Sequence, residues 1–367
     1  MLALRCNGLP EPAATCYNIF MQTTSPTPKI ENLVVILLGI LVLIALAGVL
    51  HLLRGIILPF LVALFLAYLL EPLVRLLTRL HVPHAVATAT ALLSTFILLV
   101  LMGILLYTGA QSFAKGYPLY EAKLRALIAL TAASLNFLPA EWQIGDLSRL
   151  LASKSVAGAV LSSLGSFVTF AGHLLLVYIF TIFILVGQRH LPERIHKAFD
   201  LEQAQRICDM LERITQELQT YLGTKAFISL VTAILVNVLL VFFDIDFAIL
   251  WALLAFMLNF IPTIGSTFAA IPPILIAVLK FDSIMPAVWV AVYFTVINVV
   301  LGGLIEPKLM GQRLNLSPLL VILSLLFWGW LWGVTGMALS VPIMASIKIA
   351  CENIPQLRFV SVLMSSK

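Results

Sequence analysis

The chain has 367 residues, 61% of them hydrophobic and only 11% charged, with a mean hydropathy of +1.08. A soluble domain carries about 45–50% apolar and about 25% charged residues, so a water-soluble core is excluded and lipid must solvate much of this surface. The formal net charge of +5 does not point to nucleic acid: no basic run interleaves with aromatics, and excess Lys and Arg is what the cytoplasmic loops of inner-membrane proteins carry.

A span needs roughly 20 apolar residues, which gives room for about eight. Backbone groups in lipid must be satisfied internally, by helices or a closed barrel, and the apolar runs here are long and continuous rather than alternating. The expected class is therefore all-α: a polytopic helical membrane protein with about eight transmembrane segments, two of them broken or re-entrant hairpins, plus short soluble helices. Cys6, Cys16, Cys208 and Cys351 are scattered, with neither a disulfide framework nor a metal-ligand spacing.

Residues 1–31 fall outside the pattern; Pro10 and Pro12 interrupt them, and a disordered extension is expected. The first three membrane helices are expected within 32–108, as runs Leu33 to Leu53, Gly55 to Leu70 (kinked at Pro59) and Val82 to Tyr107. Residues 109–155 hold eight charged side chains between Pro118 and Pro139 or near them, and read as a soluble or interfacial helical excursion. A fourth span follows within 156–187. Residues 188–225 read as a cytoplasmic amphipathic helix, with Asp200 and Gln203 as a capping box. Its stripe is Ile207, Leu211, Ile214 and Leu218, and its opposite charges stand four residues apart at Glu202–Arg206 and Asp209–Arg213. Its six cations, Lys225 among them, place it in the cytoplasm.

Residues 226–350 read as the transport core. After a span from Ala226 to Phe243 come two overlong apolar stretches, Phe247 to Leu279 and Leu316 to Ala350, with a span from Ile284 to Ile305 between them. A straight helix of about 35 residues would measure about 52 Å, against a bilayer core of about 30 Å. Gly and Pro interrupt both stretches, so each reads as two shorter helices meeting at a turn, around Asn259–Gly265 and Trp328–Gly336. Paired, interrupted segments of this kind point to a transporter's binding site. The strings AAIPPILIAVLK and ALSVPIMASIK, one in each stretch, raise an internal repeat. Treating both as hairpins also puts Lys308, Arg313 and Lys348 on the cytoplasmic side, as the positive-inside rule prefers; the basic residues of 109–155 are discordant. Residues 351–367 are expected to be a cytoplasmic tail.

Three strings carry a family likeness: FLVALFLAYLLEPLV (Phe60 to Val74), LLAFMLNFIPTIGSTFAAIPPIL (Leu253 to Leu275) and the stretch from Asn298 to Ile343 with its EPKLMG turn. They resemble the autoinducer-2 exporter family, from about residue 32 to the C-terminus. The resemblance implies a multi-pass permease of the bacterial inner membrane that forms homo-oligomers, expected to be pentamers. It implies export of autoinducer-2, a small polar signal molecule, although some members resemble sodium or other cation/proton antiporters. No cofactor is implied, and no enzyme or nucleotide-binding motif appears in a suitable context, so an ion gradient is the simplest drive.

Candidate substrate- or ion-binding residues are Asn259, Pro262, Gly265, Asn298 and Glu306, with Glu71, His173 and Thr335 behind them. Glu306 precedes Pro307 at a helix end and reads either as a titrating acid or as an interfacial one paired with Lys308 or Arg313. Asn259 reads as a ligand amide beside freed carbonyls or as interhelical packing, and Asn298 and Asn237 lean to packing. Glu71 reads as an interface anchor, His173 as an intramembrane ionisable group, and Asp244 with Asp246 as loop residues or a cation entrance. Three functions stand open: a transporter of a small polar metabolite, a monovalent cation/proton antiporter, and a passive pore or oligomeric scaffold. Partners are a small polar signal or a monovalent cation, membrane lipid and further copies of the chain.

Overall fold

The computed structural model describes residues 28–134, 167–262, 264–281, 283–310 and 315–365. Its described residues are helical save for turns and one isolated β-bridge. Residues up to Arg54 form one unit and Gly55 onward a second. The first unit contains α1 (Pro28–Leu52), which begins inside the expected 1–31 extension; residues 1–27 of that extension lie outside the described ones.

The second unit opens with α2 (Arg54–Arg79), whose Pro59 and Pro72 lie inside a continuous helix, and α3 (His84–Ser134). α3 corrects the sequence reading: it runs through Pro118, where a breaker was expected. An interior proline costs about 3 kcal/mol, and packing on a distant segment offsets it. The Phe113 ring lies edge-on to Phe247 and Trp251, each with centroids 5.5 Å away. A Cβ on Gly116 would stand 2.8 Å from the Phe247 ring, and one on Gly109 would stand 3.0 Å from Leu250, so small residues seven apart let the helices close up. The rest of the expected excursion, from residue 135, and the start of the fourth span lie outside the described residues. That span appears as α4 (Phe167–Gly187), followed across a 62° bend by α5 (Leu191–Ala198).

α6 (Leu201–Phe242) is a second correction. The expected amphipathic helix and the following span are one continuous 42-residue helix. It is about 63 Å long at 1.5 Å per residue, twice the bilayer core, so one rod serves both environments. The Glu202–Arg206 pair forms at 2.5 Å, whereas Asp209 accepts from Gln205 Nε2. Asp200 takes the N-cap position without a side-chain cap bond. Leu218, from the expected stripe, is 1% exposed in a cluster with Phe65, Tyr221 and Leu339.

Both hairpins are present. The first pairs α7 (Ala248–Leu258) with α8 (Ile264–Lys280), each shorter than a full span. At its tip Ile261 N donates to Leu258 O at 2.9 Å. After α9 (Met285–Ile297), a π-helical segment (Asn298–Ile305) and the short α10 (Glu306–Met310), the second hairpin is α11 (Pro318–Asn353). It folds back at Gly333, whose φ of 66° and ψ of −148° leave the helix. Ser324 Oγ donates to Ser340 O at 3.2 Å, a pair that a straight helix would hold about 24 Å apart. The tail packs onto this hairpin's base: α12 (Arg358–Met364) buries Ser361 and Met364, and Ser317 N donates to Met364 O at 3.0 Å.

The hairpins close alike. Lys280, ending the first, donates to the carbonyl of Asp244; Lys348, near the end of the second, donates to Asn315 O at 3.1 Å. Both acceptors precede the first arm and take left-handed backbone, with φ of 52° and 39°. The hairpins run along α6 in opposite directions. The first starts at Phe243 and its tip residue Asn259 reaches Ser229. The second has Lys348 beside Arg213 and Glu217 while Leu339 reaches the Tyr221–Leu222 level. Six described helices are long and apolar enough to span a membrane, or seven with the bent α4–α5 pair, and the two helices of the first hairpin are shorter apolar ones.

Lys280 also bonds Asp246 Oδ1 at 2.8 Å and Asp244 Oδ2 at 3.0 Å, and Tyr120 donates to Asp246. The two aspartates are thus a latch with their own ammonium rather than an open cation entrance. Burial raises the Asp246 carboxyl, but the Lys280 and Tyr120 bonds outweigh it and leave the group below its ordinary 3.8. A depressed carboxylate contributes stability above its unfolded value and loses it as pH falls through the folded one. The stability gap between wild type and Asp246→Asn should therefore be constant near neutral pH and close below about pH 3.8, read as thermal midpoints in detergent. A gap that does not narrow at all as the pH falls below 3.8 would contradict the latch.

Candidate functional site

Between α6, the first hairpin and the α9–α10 segment lies a cavity of about 820 Å³, within the range of small-molecule sites. Four of the five leading candidates line it: Asn259, Pro262, Asn298 and Glu306. Gly265 instead makes the hairpin tip, where a Cβ would stand 1.7 Å from Leu258 O. Only glycine permits that approach, in the first turn of α8, just after the break beside the cavity.

The charged end of the cavity is an ion pair. Lys225 Nζ donates to Glu306 Oε1 at 2.6 Å, with the side chains 6% and 17% exposed. The two residues belong to α6 and to the start of α10. Glu306 thus has a partner that neither expected reading supplied, Lys225 rather than Lys308; Arg313 lies outside the described residues. The π-helical segment delivers it. Glu306 N donates to Leu301 O, five residues back, and Pro307 has no N–H with which to resume the α-helical pattern. Such π segments recur at functional sites because the extra residue per turn re-aims the side chains after it. Gly302 and Gly303, both at the cavity wall, have open space where a Cβ would stand, so the wall there is backbone.

Opposite the pair the wall is hydroxyl and amide. Asn259 Nδ2 donates to the buried Ser229 Oγ at 2.9 Å, and Thr232, Ser266, Thr267 and Thr295 line the same space with Asn298. Asn298, a binding candidate that leaned to packing, lines the cavity, and Asn237 is not among the lining residues. Lys225 and Glu306 are the only charged side chains on this lining among the described residues, so the site is neutral overall. Its charged end lies about 26 Å along α6 from Phe242.

The remaining candidates lie elsewhere. Glu71 sits against Arg75 and Gln219, each at 2.5 Å, at a separate cavity of about 300 Å³. His173 is exposed on α4, and Thr335 is exposed two residues past the Gly333 turn. Trp328 is buried at its hairpin, with Nε1 unpaired among the described residues. Sequence reasoning missed Lys225, which was counted with the cytoplasmic cations. Its signal was its position between Leu222 and an uninterrupted apolar run, because an ionisable group inside a span is costly and calls for a partner.

The AI-2E family transporter pattern matches residues 38–356. A Haemophilus influenzae protein whose name assigns it to transport without naming a cargo is 38% identical over 333 residues, 87% of this chain and 92% of the relative. The AI-2 transport protein TqsA of Escherichia coli K12 is 34% identical over 336 residues, 90% of this chain and 95% of the relative. YhhT of the same organism, again named for transport alone, is 32% identical over 344 residues, 94% and 93% of the two chains. With its apolar spanning helices and paired hairpins, the chain is a multi-pass membrane transport protein, not an enzyme, and it belongs to the AI-2E transporter family.

Proposed function

We propose that the protein exports a small, uncharged polar solute, autoinducer-2 or a metabolite like it, across the bacterial inner membrane, driven by the proton gradient. One observation carries the reading: the cavity offers a self-neutralised ion pair with six hydroxyl and amide side chains. That lining suits a hydroxylated, neutral molecule, whereas a lone inorganic cation would need a net negative charge, which the pair cancels. Similarity to a relative named for AI-2 transport supports the cargo class. The charged end lies toward the cation-bearing half of α6, and the positive-inside rule then supports loading from inside. Copies of the chain are expected to assemble, each with its own cavity.

A paired flux assay tests this. Proteoliposomes with a proton gradient should move autoinducer-2 out of the compartment facing the cytoplasmic side, and collapsing the gradient should slow it. Asn259→Leu should cut the rate roughly tenfold, the equivalent of about 1.4 kcal/mol for a lost hydrogen bond at the site. A sodium-driven pH change with no solute flux would replace this reading by the cation/proton antiporter. Gradient-independent flux with no saturation would replace it by a passive pore.

A further inference from the structure

We propose that Lys225 is a tethered stand-in for a monovalent cation at Glu306, so that the protein excludes sodium from its transport cavity and would acquire a sodium site if that ammonium were removed. The proposal rests on the cavity being the transport site and adds the rule by which ions are selected there.

The geometry carries it. The ammonium and Glu306 Oε1 are 2.6 Å apart, and both side chains are largely buried. One carboxylate removed from water needs one positive charge beside it, since an uncompensated buried charge is costly. A free cation would meet that need reversibly; Lys225 meets it with a group tethered to the chain, which cannot diffuse away. With the two charges cancelled, no net field remains on this lining to draw in a second cation. The oxygen ligands that a cation would use are otherwise at hand. Thr232, Asn259 and Asn298 line the same space, and the Gly302–Gly303 backbone stands in the wall without side chains. Oxygen ligands of this kind beside a carboxylate suit a small, hard cation. The site thus pairs a carboxylate with neighbouring oxygen groups, and the chain itself supplies the cation.

The latch at the first hairpin's base repeats the device. Lys280 sits against Asp244 and Asp246 where a cation would otherwise lie.

The test compares wild type, Lys225→Met, Lys225→Ala and Lys225→Met/Glu306→Gln as full-length purified protein. Thermal midpoints are read in sodium, potassium and choline chloride at equal ionic strength. The wild type should be indifferent to the cation. Both single variants should be destabilised in choline and recover by several degrees in sodium, saturably, because a ligand that binds only the folded state stabilises it. The double variant should not respond. Lys225→Ala removes the side chain as well as the charge, so a refolding problem peculiar to Met does not decide the result. A sodium-dependent wild-type midpoint, or single variants that ignore sodium, overturns the proposal. None of these readouts uses the cargo. Absence of autoinducer-2 flux in wild type would therefore sink the export reading alone, while the sodium response would still stand or fall on its own.

Discussion

Gly265→Ala is expected to produce a protein that inserts but does not transport, with a midpoint far below wild type. The added Cβ would lie 1.7 Å from Leu258 O and 2.7 Å from the carbonyl carbon. The obstacle is backbone, which cannot swing aside like a flexible side chain, so the tip between α7 and α8 must open. Overpacking commonly costs about 1–3 kcal/mol, and this site belongs at or above the upper end. Opening the tip also moves Asn259 and Pro262 at the cavity, so flux should fall further than stability alone accounts for. Gly336→Ala should behave likewise, since its Cβ would stand 2.0 Å from Trp328 O and 2.9 Å from Trp332 Cβ. Gly223→Ala, with nothing within 4 Å of the new atom, should be neutral or mildly stabilising, as alanine is the better helix former by about 1 kcal/mol. Wild-type flux and midpoint in Gly265→Ala would mean that the hairpin does not close as described.

The second large effect is a non-additive cycle at the ion pair. Lys225→Met and Glu306→Gln each remove one partner of a pair whose side chains are 6% and 17% exposed. Breaking a buried pair by deleting one partner costs about 3–5 kcal/mol, because the other charge is stranded. Replacing both partners is often close to neutral. The double variant should therefore unfold, in detergent with denaturant and in choline, at a concentration nearer wild type than either single variant. Additive losses would show that the two residues act independently. In flux, Glu306→Gln should slow transport through the misplaced Lys225 ammonium, and restoration by Lys225→Met would assign the defect to the uncompensated charge rather than to a carboxylate that itself carries protons.

Much of this was legible in the chain. Hydropathy and the obligation to satisfy backbone groups are local properties, so they disclosed the class, the spans and both interrupted hairpins, including the windows that hold Gly265 and Gly333. The matching lysines of AAIPPILIAVLK and ALSVPIMASIK pointed to a repeat, and the structure has Lys280 and Lys348 closing the two hairpins on left-handed carbonyls. Asn259, Pro262 and Glu306 could be singled out because each lies where an apolar helix is broken or ends. Pro118 misled because the rings that offset its missing hydrogen bond, Phe247 and Trp251, lie some 130 residues further on. The boundary near residue 225 misled because composition changes there while the helix of α6 does not.

The sequence by itself therefore determined that this is a helical membrane protein built around two broken hairpins, since period, length and polarity are written residue by residue. Only the tertiary structure decided that the hairpins run oppositely along α6, that Asn298 faces a cavity rather than a neighbouring helix, and that Lys225 belongs with Glu306. Charge compensation depends on distance in space, and the two partners are 81 residues apart in the chain yet 2.6 Å apart in the fold.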